Sequence, residues 1–332
     1  MQYLLRFSLG YFFFAVIFVT VFRDVGVSII GHLISSSHIF FVVLSQFTVG
    51  LVLLAGVTTL IVGPKVMLSR LRVVALATIS VLFFQAAFTL IKTSRPFIVP
   101  FFADLYLADI DQALHFGHDP WILTHAWAEG IAANQLVWVY VSVWGLHAMA
   151  LPVIIAALDG NQDRVSRFLI LYVVGWVVIG NIIALAGMSA RPVYFDRLMG
   201  GARFMDLTPA LIESGVKVTR IGNFEKSPLE RLCGSWSAFG SGISAFPSVH
   251  VAMAVVTSLY LAERSRWLAP VGIAFVAIIL FMSVYSGFHY AIDGYASILV
   301  VATAYGLERH YGVARSAISR TFRDVDPVAQ PI

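Results

Sequence analysis

Eight stretches of this 332-residue chain are apolar for long enough to cross a bilayer, and that repetition limits the fold more than any single motif does. A helix needs about 20 mostly apolar residues to span the hydrocarbon, where its backbone polar groups must be paired internally. The runs are Tyr3–Phe22, Ile39–Val62, Leu71–Ile91, Asn134–Ala157, Phe168–Met188, Pro247–Glu263, Trp267–Ser283 and Phe288–Tyr305, the last three short and tightly linked. The expected fold class is therefore all-α, a polytopic membrane helix bundle of about eight spans. Only 12% of residues are charged against 59% hydrophobic, about half the charged share of a soluble globular chain. The first run lacks a small-residue cleavage site and reads as a retained span or signal anchor.

The formal charge of +4 is modest, and no basic tract suits nucleic acid. The single cysteine, Cys233, excludes an intrachain disulfide and a thiolate metal site. Twelve of the 22 basic residues fall on one side if the N-terminus is cytoplasmic: Arg6, Lys65, Arg70, Arg72, Arg164, Arg167, Arg264, Arg266, Arg309, Arg315, Arg320 and Arg323. All lie on short segments, so both termini are expected inside. Two long loops, Lys92–Ala133 and Ser189–Phe246, then share the external face with the Ser286–His289 turn. Loops of that length are usually functional or disordered.

The first loop contains DLYLADIDQALHFGHDPW, which reads as an amphipathic interfacial helix. Asp104, Asp111, His115 and His118 fall near one side. They are expected to form a solvated stripe; the competing reading is a lid or a head-group contact surface. The tail from Ser316 to Ile332 is expected to be loosely ordered. The chain divides into N-terminal spans with the external loop (1–133), a membrane core (134–310) and a cytoplasmic tail (311–332).

Two segments carry the titratable residues. In GSGISAFPSVH, Pro247 suits a first helical turn, and the glycines and serines before it leave free N–H groups at the positive end of the helix dipole, a cradle for phosphate. Ser248 adds a hydroxyl and His250 sits in that first turn. In YSGFHYAID, a helix beginning near Phe288 would put His289 and Asp293 on one face, four residues apart. A carboxylate there fixes the imidazole tautomer and leaves the other ring nitrogen as nucleophile or base. The hairpin around Arg264 brings both segments to one membrane face, so the two histidines could flank a single phosphate.

FPSVH and HYAID resemble the second and third signature motifs of the type 2 phosphatidic acid phosphatase superfamily. SARPVYFDRL, GISAFPSVH, HYAIDGY and DQALHFGHDPW resemble the branch containing fungal inositol phosphorylceramide synthases and their bacterial relatives. The resemblance is specific from about Met188 to Ser297. It implies a helical membrane core in which His289 forms a phosphohistidine, Asp293 orients it and His250 is the general acid. Ser248 and Arg191 would hold the phosphate, and no metal or other cofactor is implied. The superfamily's Lys seven residues before that Arg is Ala184 here, and its Arg six residues before the third-motif His is Ser283. Lys92, Arg95 and Arg197 are the nearest external cations to replace them, although Lys92 and Arg95 also suit interfacial anchoring.

The leading expectation is a lipid phosphotransferase taking a phosphate-containing head group from a phospholipid donor to a lipid alcohol. The alternative within the same chemistry is a lipid phosphate or polyprenyl diphosphate phosphatase. An alternative of another class is a proton-coupled lipid transporter using His289 and Asp293, against which stands the lack of an inverted repeat. A metal-dependent hydrolase is disfavoured by the lack of HExxH or a compact ligand cluster. The oligomeric state is open. The expected setting is a bacterial inner membrane with the site on the periplasmic face.

Overall fold

The computed structural model describes residues 1–22, 29–129, 133–216 and 245–325. Cys233 and the Gly-Ser run 240–244, with the phosphate cradle expected of it, lie outside the described residues, as does the end of the tail. The described elements are helical throughout.

The order begins with α1 (Gln2–Phe22), α2 (Ile29–Ser45), α3 (Thr48–Val62) and α4 (Pro64–Ser94). α1 lies along α4, where Tyr11 meets Phe84 at 5.3 Å between ring centres and Ala15 and Val19 are buried. The expected second span is broken: a turn at Gln46 and Phe47 separates α2 from α3, and neither helix alone reaches span length. Pro64 then opens α4 at a position where its missing N–H costs nothing.

The external loop holds α5 (Asp104–Leu114) and α6 (Pro120–Trp127). The expected orientation of α5 is reversed. Asp104 and Asp111 are buried with Leu107 and Ala108, while Leu105, Tyr106, Ile110 and Leu114 face outward. A helix with carboxylates inside and apolar side chains outside is stable only if its outer face meets a nonaqueous phase and its carboxylates find donors. His118 is exposed, and His115 bonds to the Asp111 carbonyl and the Tyr295 hydroxyl.

α7 (Ala133–Trp138) runs through a π-helical stretch (Val139–Val143) into α8 (Trp144–Leu158). α9 (Gln162–Val173) continues through a second π stretch (Val174–Ile183) into α10 (Ala184–Ala186), and α11 (Phe195–Met199) and α12 (Leu207–Glu213) follow. The last three are α13 (Val249–Arg264), α14 (Ala269–Tyr285) and α15 (Ala291–Val325). Among the described residues, five helical segments are long and apolar enough to cross a membrane: Gln2–Phe22, Pro64–Phe97, Leu136–Leu158, Gln162–Ala186 and Arg266–Tyr285.

α13 is the axis of the bundle. It packs on α14, α15, α8, α9 and the second π stretch, and all seven residues from Val251 to Thr257 are buried. A helix apolar all round belongs inside other helices, not against lipid. Close approach is made at small residues; a Cβ on Gly272 of α14 would fall 2.8 Å from the Ser258 backbone. His250 lies at one end of α13 and Glu263 at the other. That far end is fastened by Arg167–Glu263 at 2.7 Å and by a bidentate Arg164–Asp159 pair at 2.6 Å, which Tyr260 joins. The hydrogen bonds from Arg164 pull the Asp159 carboxyl down to about 2.

Candidate active site

The two histidine segments meet through the backbone before any side chain is considered. The Ser248 N–H donates to the Asp293 carbonyl at 3.1 Å, and the Ser297 hydroxyl reaches the carbonyls of both Ser248 and Asp293 at 2.9 Å. The start of α13 and the first turn of α15 are thus one unit.

α13 begins at Val249, two residues later than Pro247 suggests. Ser248 is its N-cap, with the Oγ accepting from Val251 N–H at 3.3 Å. That bond uses the oxygen as acceptor and leaves the hydroxyl hydrogen to donate. His250 follows in the first turn, its imidazole sandwiched between Tyr140 (4.8 Å between ring centres, 9° between planes) and Trp144 (4.0 Å, 22°). The Trp144 indole N–H also donates to the His250 carbonyl at 2.9 Å. Tyr140 belongs to the first π stretch, a helical irregularity frequent at functional sites. Neither aromatic stands out in a sequence this rich in aromatic side chains.

His289 is not on a helix. Gly287 takes a left-handed conformation (φ 65°) that turns the chain back on α14, so that the N–H groups of Phe288 and His289 both return to the Ser283 carbonyl. Position 283, where a cation is missing, therefore supports the turn with its backbone. α15 begins at Ala291, not near Phe288, and Asp293 is in its first turn. One oxygen, Asp293 Oδ2, accepts from His289 Nδ1 at 3.1 Å and from the Tyr290 N–H at 3.1 Å. The second bond is the backward half of a capping box. The expected pairing forms, but as a helix cap that captures the imidazole and not as two residues on one helical face.

His250 and His289 lie 5.7 Å apart between ring centres, inclined at 59°. Lys92 and Arg191 are the cations whose charges bear on both imidazoles. Lys92 is half-buried at the end of α4, near the Phe88 ring. The Arg191 guanidinium lies 5.0 Å from the centre of the Phe288 ring, beside the His289 turn. Arg95 is placed differently: it is 1% exposed, and its Nη1 donates at 2.7 Å to the carbonyl of Gly180 in the second π stretch. Arg197 is exposed on α11.

Arg191 occupies an unusual backbone conformation for a side chain of its size, φ 95° and ψ 152°. Such a conformation costs roughly 1–3 kcal/mol and persists only where its surroundings impose it. Here the Asp104 carboxylate lies against that backbone. It accepts from the Ala190 N–H (2.8 Å), the Arg191 N–H (3.2 Å), the Ser189 hydroxyl (3.1 Å) and the Tyr290 hydroxyl (3.0 Å). Two turns along α5, Asp111 accepts from the N–H groups of Ala291 and Ile292 at 2.7 and 2.8 Å, the first orphan donors of α15. Burial pushes both carboxyls up from the usual range, against the pull of those hydrogen bonds. The loop is fastened again by Arg203, which pairs with Asp119 (2.9 Å) and Asp109 (2.7 Å) and donates to the Ala108 carbonyl.

Asp104, Asp111, Tyr140, Trp144 and Tyr290 are thus parts of the site that sequence reasoning missed. The one available signal was the seven-residue spacing of two carboxylates on a helix whose other face is apolar.

Chemically, the arrangement offers an imidazole engaged by Asp293 through Nδ1 and reached also by the Ala245 backbone, a second imidazole beside it, a hydroxyl donor and two cations. Among the described residues, no three His, Cys, Asp or Glu side chains group as ligands for one metal ion. A family model described as the PAP2 superfamily matches residues 105–307. No curated protein and no solved structure matches the chain.

Proposed function

The chain belongs to the PAP2 superfamily, and from that premise we propose that it is a membrane lipid phosphotransferase working through a phosphohistidine on His289. Superfamily members are generally phosphatases or phosphotransferases on lipid phosphates, and the long apolar helices fit an integral membrane protein. The observation that carries the reading is the pairing of His289 Nδ1 with Asp293 while His250 stands 5.7 Å away between two aromatic rings.

In the first step His289 Nε2 attacks the phosphorus of a phospholipid. The bond to the lipid oxygen breaks, and His250 supplies the proton that the departing alkoxide takes. In the second step the hydroxyl of a lipid alcohol attacks the phosphohistidine, its proton passes to His250, and His289 is released. Asp293 holds the tautomer and balances the imidazolium that forms. Lys92, Arg191 and the Ser248 hydroxyl face the phosphate oxygens, Lys92 doing the work of the cations absent at Ala184 and Ser283. The resemblance to inositol phosphorylceramide synthases suggests a sphingolipid-like or diacylglycerol-like acceptor. The basic-residue distribution supports cytoplasmic termini and an external site, the apolar runs about eight spans with a 134–310 core, and the family resemblance a bacterial inner-membrane setting.

Hydrolysis, with water in the second step, is the second reading. It is favoured by a small cavity of about 10 Å³, bounded by His289, Tyr290, Asp111, Asp119 and Trp121, which is roughly the space of one water. The deciding experiment follows purified protein with phospholipid and a lipid alcohol in the presence of chelator. A new head-group lipid is expected; free phosphate or a free phosphorylated head group would indicate hydrolysis. Undiminished turnover in both His289→Ala and His250→Ala would remove the catalytic reading altogether.

A further inference from the structure

Asp104 has no place in the phosphoryl-transfer steps, yet it is fully buried and is among the most heavily hydrogen-bonded carboxylates described. Its four donors come from two places. Ser189, Ala190 and Arg191 belong to the loop that carries a phosphate-facing cation. Tyr290 is the residue after the nucleophile. Arg191 holds a backbone conformation that its own side chain disfavours, and the Arg191 N–H is one of the four groups the carboxylate receives. The same loop is tied to the nucleophile turn by the Val193 N–H donating to the Gly287 carbonyl at 3.1 Å. Asp111, one face and two turns further along α5, grips the first turn of α15 and fixes where Asp104 can reach.

We propose that Asp104 is a positioning residue: it holds the 189–191 loop against the His289 turn so that the Arg191 guanidinium meets the substrate phosphate, and Asp111 sets its depth. This assignment rests on the phosphotransfer reading above and adds a residue that touches no substrate. A carboxylate is required because both of its oxygens receive donors. An amide in its place would turn an NH2 group toward the Ala190 N–H or toward the donors on the other oxygen. The loop would then relax from its disfavoured conformation and carry Arg191 away from the phosphate.

The test is a double-mutant cycle on the full-length protein in mixed micelles, read as the KM for the phospholipid donor, which does not depend on the fraction of active protein. Asp104→Asn is expected to raise KM by roughly tenfold or more, the value of one charge-assisted contact to phosphate. Arg191→Ala should raise it at least as far, and Asp104→Asn added to Arg191→Ala should raise it no further. Tyr106→Phe, on the exposed side of the same helix, serves as the control and should leave KM unchanged. If Asp104→Asn does not fold, Tyr290→Phe removes one of the four donors and should raise KM severalfold. An unchanged KM in Asp104→Asn or, where that variant does not fold, in Tyr290→Phe overturns the proposal, and so does full additivity with Arg191→Ala. Full activity in His289→Ala would instead overturn the phosphotransfer reading beneath it.

Discussion

His250 is held on both faces by aromatic rings, so its ring plane is fixed while its edge is left to exchange protons. That division predicts a dependence on leaving group. His250→Ala should slow turnover of an alkyl lipid phosphate by roughly 10²–10⁴, the usual contribution of a general acid. The loss should be much smaller with an aryl phosphate, whose departing oxygen needs no proton; equal losses on both substrates would argue against the assignment. The two basic residues at the end of α4 should separate as well. Lys92→Met is expected to raise the KM for the phospholipid, because its charge bears on both imidazoles. Arg95→Met should instead lower the melting temperature in detergent with little change in KM, since it removes a buried donor to the Gly180 carbonyl. The histidines and Asp293 were legible in the sequence because a few local residues build their surroundings. Asp104 and Asp111 were not. The pattern rule that sends charges outward assumes water outside the helix, and on α5 the apolar side chains are the exposed ones.

Among the elements, the His289 turn depends most on a single position. Gly287 combines a positive φ with a tight approach, since a Cβ there would fall 2.7 Å from Leu207 of α12. Gly287→Ala is expected to destabilise the protein by about 1 kcal/mol or more and to lower activity further than stability, because the displaced segment carries His289. Thermal melts compared with turnover at a temperature where the variant stays folded will separate the two effects. Helix starts were the least legible features at this scale. Pro247 and Phe288 both suggested helices beginning earlier than they do, because the N-cap hydroxyl of Ser248 and the capping carboxylate of Asp293 decide the starts. The break between α2 and α3 lies inside one continuous apolar run, where hydropathy alone carries no signal.

For the whole molecule, His250 and the His289 turn beside it lie at one end of α13, and the Asp159–Arg164 and Arg167–Glu263 pairs at the other. The proposed orientation puts these ends on opposite sides of the membrane, and cysteine labelling can check it. With Cys233→Ser as background, a cysteine at the exposed position His118 should react with a membrane-impermeant maleimide in intact cells. One at Gln162, beside the far-end pairs, should react only after permeabilisation; the reverse pattern would invert the topology.

α5 also makes a demand on descent. Its two buried carboxylates are seven residues apart, about 10 Å along a helix, one holding the 189–191 loop and the other the first turn of α15. One residue inserted between them would swing one carboxylate by about 100° and detach either the loop or the turn. Related chains should therefore vary freely in the length of the segment before Asp104 and in the outward side chains of α5. The seven-residue interval should pass unchanged, inherited as a distance more than as a sequence.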